Sequence, residues 1–272
     1  TTPDANSCGR NATVPRMRSV ILGLSGPYHE LAACLVLDGV VTCMIEEERL
    51  SRVRHGKAAR IDNGAEWPIR AAEHCLADAG LDFAAVDHIA YPFVPEERLR
   101  NIGSDPHPES ASWSSEAGER RFVADVLSIE GLIRAHAGQR ARFRFHHLPH
   151  HLAHAASAFL PSPFSSAAVM AVDGIGEHDT TWLGKGDGDS LQVLQTMQYP
   201  HSLGLLWEAV SEGLGFGPYG ATKVMGLAAH GDPTRYAALL AERVTLGDGG
   251  ACTVEGSKLR FREDGPGWVA RE

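Results

Sequence analysis

Long apolar runs, basic residues and cysteines are all scarce in this sequence of 272 residues. No run approaches the roughly 18 apolar residues of a membrane-spanning helix, so we expect a soluble protein with no membrane partner. The 25 Lys and Arg against 34 Asp and Glu give a formal net charge of −9. Because phosphates repel an acidic surface, a nucleic-acid partner is disfavoured. The five cysteines show no C-x-x-C spacing, which favours buried thiols over disulfides or zinc sites and predicts a cytoplasmic protein.

Three strands and a helix are predicted after a polar N-terminal segment. Residues 1–17 lack the apolar core of a signal peptide, and we expect this segment to be flexible. The Asp38-Gly39 link is a strong hairpin signal because both positions tolerate positive φ, and Gly80 suits the left-handed position that ends a helix. The predicted elements are strands Ser19–Ser25, Leu31–Leu37 and Val40–Ile45 and a helix over Trp67–Ala79.

The same order of elements is predicted a second time further along the chain. The intervening segments are strand Asp87–Phe93, a polar surface excursion over 96–117, helix Arg120–His136, strand Arg142–His147 and helix Pro149–Phe159. The second unit has strands Ala167–Val172, His178–Gly184 and Leu191–Met197 and helix Leu203–Leu214. This duplication predicts an α/β fold with two lobes, 18–163 and 164–272. Only one further helix, Arg235–Val244, is predicted after the second unit, so we expect the second lobe to be cut short.

A dense cluster of histidines, five of the fourteen, lies between His146 and His154. On a helix that begins near Pro149, His150 and His154 are four residues apart and project from one face. His151 and His154, three residues apart, are a second possible pair. Asp173 follows a predicted buried strand and adds a carboxylate, and such a set suits Fe(II) or Zn, with iron favoured. The alternative is a solvated helix start with incidental histidines.

Other candidate residues lie in turns and at strand exits. His29 follows the first strand and is placed to act as a base, because imidazole titrates near neutral pH; a turn histidine bonded to backbone is the alternative. The Gly-rich turn after Asp173 exposes N–H groups that can hold a phosphate, although it also fits an ordinary β-turn. Arg54 belongs to a charged stretch that either steers an anionic donor or is simply solvated. The turn and the residues after it include Gly174, Gly176, Glu177, Thr180 and Thr181.

Several segments, spread in one order over residues 18–233, form a more specific pattern than any single motif. They read ILGLSGPYHELAACLVLDGVV, EEERLSRVRHGKAA, HHLAHAASAFLPSPFSSAAVMAVDGIGE with the following TT, YPHSLGLLWEA, and KVMGLAAHGDP. In this order they resemble the motifs of the NodU/CmcH family of O-carbamoyltransferases.

The resemblance implies an ASKHA-type fold of two ribonuclease-H-like lobes, related to the TsaD proteins of tRNA threonylcarbamoylation. In that family a YrdC-like domain makes carbamoyladenylate from carbamoyl phosphate and ATP. The ASKHA-like domain then transfers the carbamoyl group to a hydroxyl of a small molecule. By position, His150, His154 and Asp173 match metal-binding residues, with iron expected, and His29 matches the proposed base. The adenylate side of the cleft is expected to include the turn 174–177, Thr180, Thr181 and Lys223.

This sequence departs from the family pattern in two places. Gly220-Ala221-Thr222 stands where members often carry an acidic and an aromatic residue. The sequence also stops before the later metal-binding aspartate and the YrdC-like domain, which we therefore expect in the same longer chain or in a partner chain.

Two other functions stay open: a non-catalytic metal- or acceptor-binding subunit, and an ASKHA kinase or hydrolase. The histidines disfavour a kinase, since kinases of that fold use carboxylates and Mg²⁺. A secondary metabolite such as an antibiotic is the expected acceptor.

Overall fold

The fold is described from a computed structural model over residues 19–28, 30–57, 64–101, 116–216 and 220–255. The predictions for the N-terminal segment 1–17 and for His29 fall outside these ranges. None of the helices in the described ranges is long and apolar enough to cross a membrane.

A five-stranded mixed sheet forms the first part of the fold. Its strands are β1 Val20–Ser25, β2 Ala32–Leu37, β3 Val40–Glu46, β4 His88–Tyr91 and β5 Arg144–His147. They lie in the order β3-β2-β1-β4-β5. Strand β2 is antiparallel to both β1 and β3. Strand β4 pairs in parallel with β1, and β5 pairs in parallel with β4. This mixed sheet confirms the predicted α/β class.

The described residues up to Phe159 form five α-helices, and the turns between elements follow from local sequence. The helices are α1 Glu47–Ser51, α2 Ile69–Asp78, α3 Pro95–Asn101, α4 Glu116–Ala137 and α5 His150–Phe159. Asp38 and Gly39 adopt φ of 52° and 82° and join β2 to β3, as the hairpin signal predicts. Gly80, at φ of 67°, follows α2, and the Leu81 N–H bonds the Leu76 carbonyl there.

The core of this first unit follows the periodicity of its elements. Alternate side chains of β1 are buried, as expected for a strand with one covered face. Buried residues of α4 recur at helical spacing, three or four positions apart. One apolar cluster joins these faces to α2; it includes Leu22, Leu24, Cys75, Phe122, Val126 and Ile129.

A second, three-stranded antiparallel sheet repeats the order of strands and helix. It contains β6 Ser166–Val172, β7 Asp179–Asp187 and β8 Ser190–Gln198, and α6 Leu203–Gly213 follows. The predicted second unit is therefore confirmed. Helix α5 falls within the predicted first lobe 18–163, but its buried residues Ala155 and Phe159 pack on the second sheet, against Val169 and Trp182. Gly186 permits this contact, because a Cβ there would lie 2.5 Å from the Phe159 ring.

Two predicted segments differ from the structure. The sequence predicts a polar surface excursion over residues 96–117, but its described ends belong to α3 and α4, and Arg98 is buried there. The helix expected over Arg235–Val244 is only five residues long, because Val244 begins a strand. The remaining elements are α7 Ala221–Ala228, α8 Ala237–Ala241, β9 Val244–Leu246 and β10 Cys252–Val254.

Candidate metal centre

The candidate site lies where three chain segments meet between the two sheets. Strand β4 leads to Pro92, helix α5 begins with His150, and strand β6 leads to Asp173. His150 and His154 of α5, together with Asp173, line a cavity of about 360 Å³. This cavity is also lined by Ser25, Tyr28, Glu30, Gly174, Trp207 and Glu208, among others. The carboxyl ends of strands are where α/β folds commonly bind ligands.

Three side chains converge in this cavity. His150 Nε2 lies 2.8 Å from Asp173 Oδ2, and His154 Nε2 lies 3.1 Å from His150 Nε2 and 3.5 Å from the same carboxylate oxygen. Within the described ranges, this is the one group of three or more His, Cys, Asp or Glu residues whose ligand atoms all lie within 4.8 Å of one another. Of the two pairs that the sequence left open, the structure therefore brings together His150 and His154.

The ring orientation of His150 is set by backbone. Its Nδ1 lies 3.0 Å from the Pro92 carbonyl oxygen, and since a carbonyl only accepts, Nδ1 carries the proton and donates. The other ring nitrogen, Nε2, is thereby directed at Asp173 and His154. A hydrogen bond from the ring nitrogen that does not face the metal commonly orients metal-binding imidazoles.

Charge in the cluster is concentrated on the Asp173 carboxylate. Burial alone would raise the pKa of Asp173, but hydrogen bonds with His150 and His154 outweigh burial and hold the pKa well below its usual range. Burial alone would lower the pKa of His150, but the hydrogen bond and charge of Asp173 raise it. Asp173 Oδ1 also accepts a hydrogen bond of 2.6 Å from the Gly174 N–H. The carboxylate is therefore ionised at neutral pH.

The chemistry of these residues fits a transition metal. Two imidazole nitrogens and one carboxylate oxygen form the donor set that non-haem Fe(II) and catalytic Zn²⁺ sites use. Bonds of about 2.0–2.2 Å to such an ion require ligand atoms roughly 3–4 Å apart. The observed separations of 2.8, 3.1 and 3.5 Å are close to that requirement. His150, His154 and Asp173 would hold the ion.

His151 points away from the cluster. It is buried, it packs against Gly176, and it lines a separate cavity of about 460 Å³ between α3, α5 and the second sheet. Burial, together with the charge of His150, lowers the pKa of His151 to about 4. His151 is therefore neutral at physiological pH and takes no part in the three-residue cluster.

Residues of the turn after Asp173 lie partly in the cleft and partly in the interior. Gly174 lines the cleft, whereas Gly176 and Glu177 lie against the first unit. The Glu177 carboxylate accepts hydrogen bonds from the Val94 N–H at 2.8 Å and the His150 N–H at 3.0 Å. Burial raises the pKa of Glu177, and these hydrogen bonds oppose the shift. The structure thus places Glu177 at the start of α5 rather than in the cavity with Asp173.

The other residues expected on the donor side lie outside that cavity. Thr180 is fully buried, and its hydroxyl donates to the His201 carbonyl; Thr181 beside it is buried as well. Arg54 is exposed in a short turn after α1, and Lys223 is exposed on α7 with its ammonium 5.9 Å from the Phe216 ring centre. None of the four is among the residues that line the cavity of the three-residue cluster.

His29 lies outside the described residues, but both of its neighbours line the cleft. Tyr28 and Glu30 contribute to the same cavity as His150 and Asp173. The Tyr28 hydroxyl donates to the Gly176 carbonyl at 2.9 Å. In the sequence, the predicted base thus stands between two residues that line this cavity.

Sequence reasoning did not single out Tyr28 and Arg98, which bond the turn after Asp173, or Glu119, which bonds Arg98. A signal was present for Glu119, which lies three residues before Phe122 and so on the same face of α4. Trp207 and Glu208, which line the cleft from α6, stand in the segment YPHSLGLLWEA but were not recognised as site residues.

Comparison with known proteins identifies relatives at the level of sequence. The profile described as "Carbamoyltransferase N-terminus" matches residues 20–264. The uncharacterized protein sll1178 of Synechocystis sp. is 36% identical, over 78% of this chain and 35% of its own length. Nodulation protein NolNO of Sinorhizobium fredii is 33% identical, over 82% of this chain and 31% of its own. The chain thus spans about a third of the length of these curated relatives.

Among solved structures, YeaZ from Pseudomonas aeruginosa is 14% identical with a TM-score of 0.37, over 67% of this chain and 69% of that chain. Because that score is low, the family assignment rests on the sequence matches. The family model matches most of the chain, including His150, His154 and Asp173, so the chain belongs to the carbamoyltransferase family, in the region described as its N-terminus.

Proposed function

We propose that this chain is the metal-binding part of an enzyme that transfers a carbamoyl group from carbamoyladenylate to a hydroxyl of a small molecule. The observation that carries the proposal is the convergence of His150, His154 and Asp173 in a cleft of a chain from the carbamoyltransferase family. Iron(II) is the expected ion and zinc the alternative, in keeping with the donor set. A secondary metabolite such as an antibiotic is the proposed acceptor.

The chemistry divides between the ion and the residues around it. A bound ion supplies a Lewis acid for the oxygen on which negative charge develops. His150 presents its Nε2 because Nδ1 donates to the Pro92 carbonyl, and the ionised Asp173 adds the anionic ligand. His29 accepts the proton of the acceptor hydroxyl. The acceptor oxygen bonds to the carbamoyl carbon, the bond from that carbon to the AMP phosphate oxygen breaks, and AMP leaves.

The donor must be made and held by further parts of the protein. The proposal assigns synthesis of carbamoyladenylate from carbamoyl phosphate and ATP to a YrdC-like domain, in the same longer chain or in a partner chain. Gly174 is the donor-side residue best supported by its position in the cleft. Because the proposed reactions consume ATP, we place them in the cytoplasm.

The test is acceptor-dependent release of AMP by the full-length protein given carbamoyl phosphate, ATP and a panel of hydroxyl acceptors. We expect His154→Ala to abolish transfer and reduce metal content, and His29→Ala to abolish transfer while metal content is retained. His146→Ala is the matched control, since His146 lies in the same histidine-rich segment but pairs with His88 at 2.9 Å, outside the cluster. Full transfer by His154→Ala would refute the proposed site. Release of ADP without carbamoyl phosphate would favour a kinase or hydrolase instead.

A further inference from the structure

A buried ion pair joins α3 to α4 beside the metal cluster. Arg98 is 2% exposed and Glu119 is 0% exposed. Arg98 Nη2 lies 2.6 Å from Glu119 Oε1, and Nε lies 2.7 Å from Oε2, so the contact is bidentate. A buried pair of this kind is weak evidence for stability, because desolvation offsets most of the attraction. Its retention in the interior points to a role in fixing geometry.

The arginine also reaches the turn that follows Asp173. Its Nη1 donates to the Glu177 carbonyl at 3.0 Å and to the Gly176 carbonyl at 3.3 Å. Glu119 holds the guanidinium from one side, so the remaining N–H groups are directed at these two carbonyls. A side chain of α3 therefore holds a turn of the second sheet.

Tyr28 holds the same turn from a second direction. Its hydroxyl donates to the Gly176 carbonyl at 2.9 Å, and its ring stacks on Phe122 with centres 5.4 Å apart. The ring edge also contacts His150, with centres 5.5 Å apart.

The turn connects directly to two of the three clustered ligands. Gly176 and Glu177 follow Asp173 by three and four residues, and the Glu177 carboxylate binds the N–H of His150. A shift of the turn would therefore move Asp173 and the start of α5 together. The separation of 2.8 Å between His150 and Asp173 depends on where this turn sits.

We infer that Arg98, Glu119 and Tyr28 are positioning residues, which set the metal-ligand geometry of His150 and Asp173 by fixing the turn at Gly176 and Glu177. The inference rests on the proposed function in one respect, namely that the cluster binds a metal. Residues behind the ligands of metal sites typically change metal affinity by about 10–100-fold when they are replaced.

The test compares matched variants of the full-length protein by competition of Zn²⁺ with a chromophoric chelator. Arg98→Met/Glu119→Met removes both buried charges at similar volume, an exchange that folded proteins commonly tolerate. We expect it to keep a cooperative unfolding transition and to bind Zn²⁺ about 10–100-fold more weakly. The control is Arg120→Met/Glu116→Met, an exposed pair at 2.7 Å on α4. We expect this control to bind Zn²⁺ as the wild type does.

Tyr28→Phe supplies a second variant that retains the ring stacking and removes only the hydroxyl. We expect it to weaken Zn²⁺ binding and to alter the visible spectrum of the Co²⁺-substituted protein, which reports ligand geometry. Wild-type affinity in the folded double variant and an unchanged Co²⁺ spectrum in Tyr28→Phe would overturn the inference. If the double variant does not fold, Tyr28→Phe decides the matter alone.

The outcomes separate the two proposals. If these variants bind metal more weakly but the wild-type protein shows no carbamoyl transfer, positioning is supported and the proposed function is refuted. Equal metal binding in all variants, together with active transfer, would refute positioning and leave the function in place. A wild-type protein that binds neither Zn²⁺ nor Co²⁺ would overturn both.

Discussion

Replacement of Glu177 tests whether its carboxylate organises the start of α5. The carboxylate accepts from the Val94 N–H at 2.8 Å and the His150 N–H at 3.0 Å. Glu177→Gln keeps an acceptor oxygen, whereas Glu177→Met keeps the length of the side chain and removes both acceptors. A buried N–H left without an acceptor costs about 1–3 kcal/mol. Since the Val94 bond is only part-buried, we expect Glu177→Met to be about 2–4 kcal/mol less stable than Glu177→Gln.

Urea denaturation followed by circular dichroism measures this difference. With a slope of about 2 kcal/mol per molar urea, the midpoint of Glu177→Met should lie about 1–2 M below that of Glu177→Gln. The control pair is Glu96→Met and Glu96→Gln, because Glu96 is exposed in the first turn of α3. Equal midpoints for the two Glu177 variants would refute the assignment of Glu177 as the residue that caps α5.

Three further predictions concern the cluster, a close backbone contact and a buried lysine. Asp173→Asn should lower Zn²⁺ affinity at least tenfold in the chelator assay, because the anionic ligand is lost; unchanged affinity would exclude Asp173 as a ligand. Gly204→Ala should lose about 1–3 kcal/mol of stability in urea, since its Cβ would lie 2.5 Å from the Asp173 carbonyl. Gly226→Ala, a helical position with nothing within 4 Å, should not be destabilised. Burial lowers the pKa of Lys57 to about 8, against the opposing charge of Glu66. The unfolded state therefore binds more protons between about pH 8 and 10.5, and stability should rise with pH there in the wild type but not in Lys57→Met. A fall over that range, relative to the variant, would contradict the shift.

The two three-strand units could be predicted because their signals are local. The Asp38-Gly39 link and Gly80 both require positive φ, and the structure has it at all three positions. Helix α3 was missed for the opposite reason. Arg98 in this helix is charged, and its burial is compensated by an ion pair with Glu119, 21 positions away. A single sequence carries no sign of such a pairing, so the segment resembled a solvated loop.

The choice between the two histidine pairs depends on which face of α5 is covered. Ala155 and Phe159 pack on the second sheet, and His151 lies four residues before Ala155, on that same face. His150 and His154 each precede a residue of that face by one position, which rotates them about 100° away from the sheet and toward the cleft. The apolar positions 155 and 159 were visible in the sequence. What it lacked was evidence that the second sheet, rather than the first, covers them.

The three ligands and their supports come from different parts of the fold. Asp173 follows a strand of the second sheet, and His150 and His154 lie on the helix that packs against that sheet. The first unit supplies no ligand to the described cluster, but it supplies the carbonyl of Pro92 and the side chains of Arg98 and Tyr28. The second sheet and its helix therefore supply the three clustered side chains, while the first unit supplies the groups that contact His150 and the turn after Asp173. Small changes in how the two units pack should alter ligand orientation, and hence metal affinity, before they remove any ligand from the site.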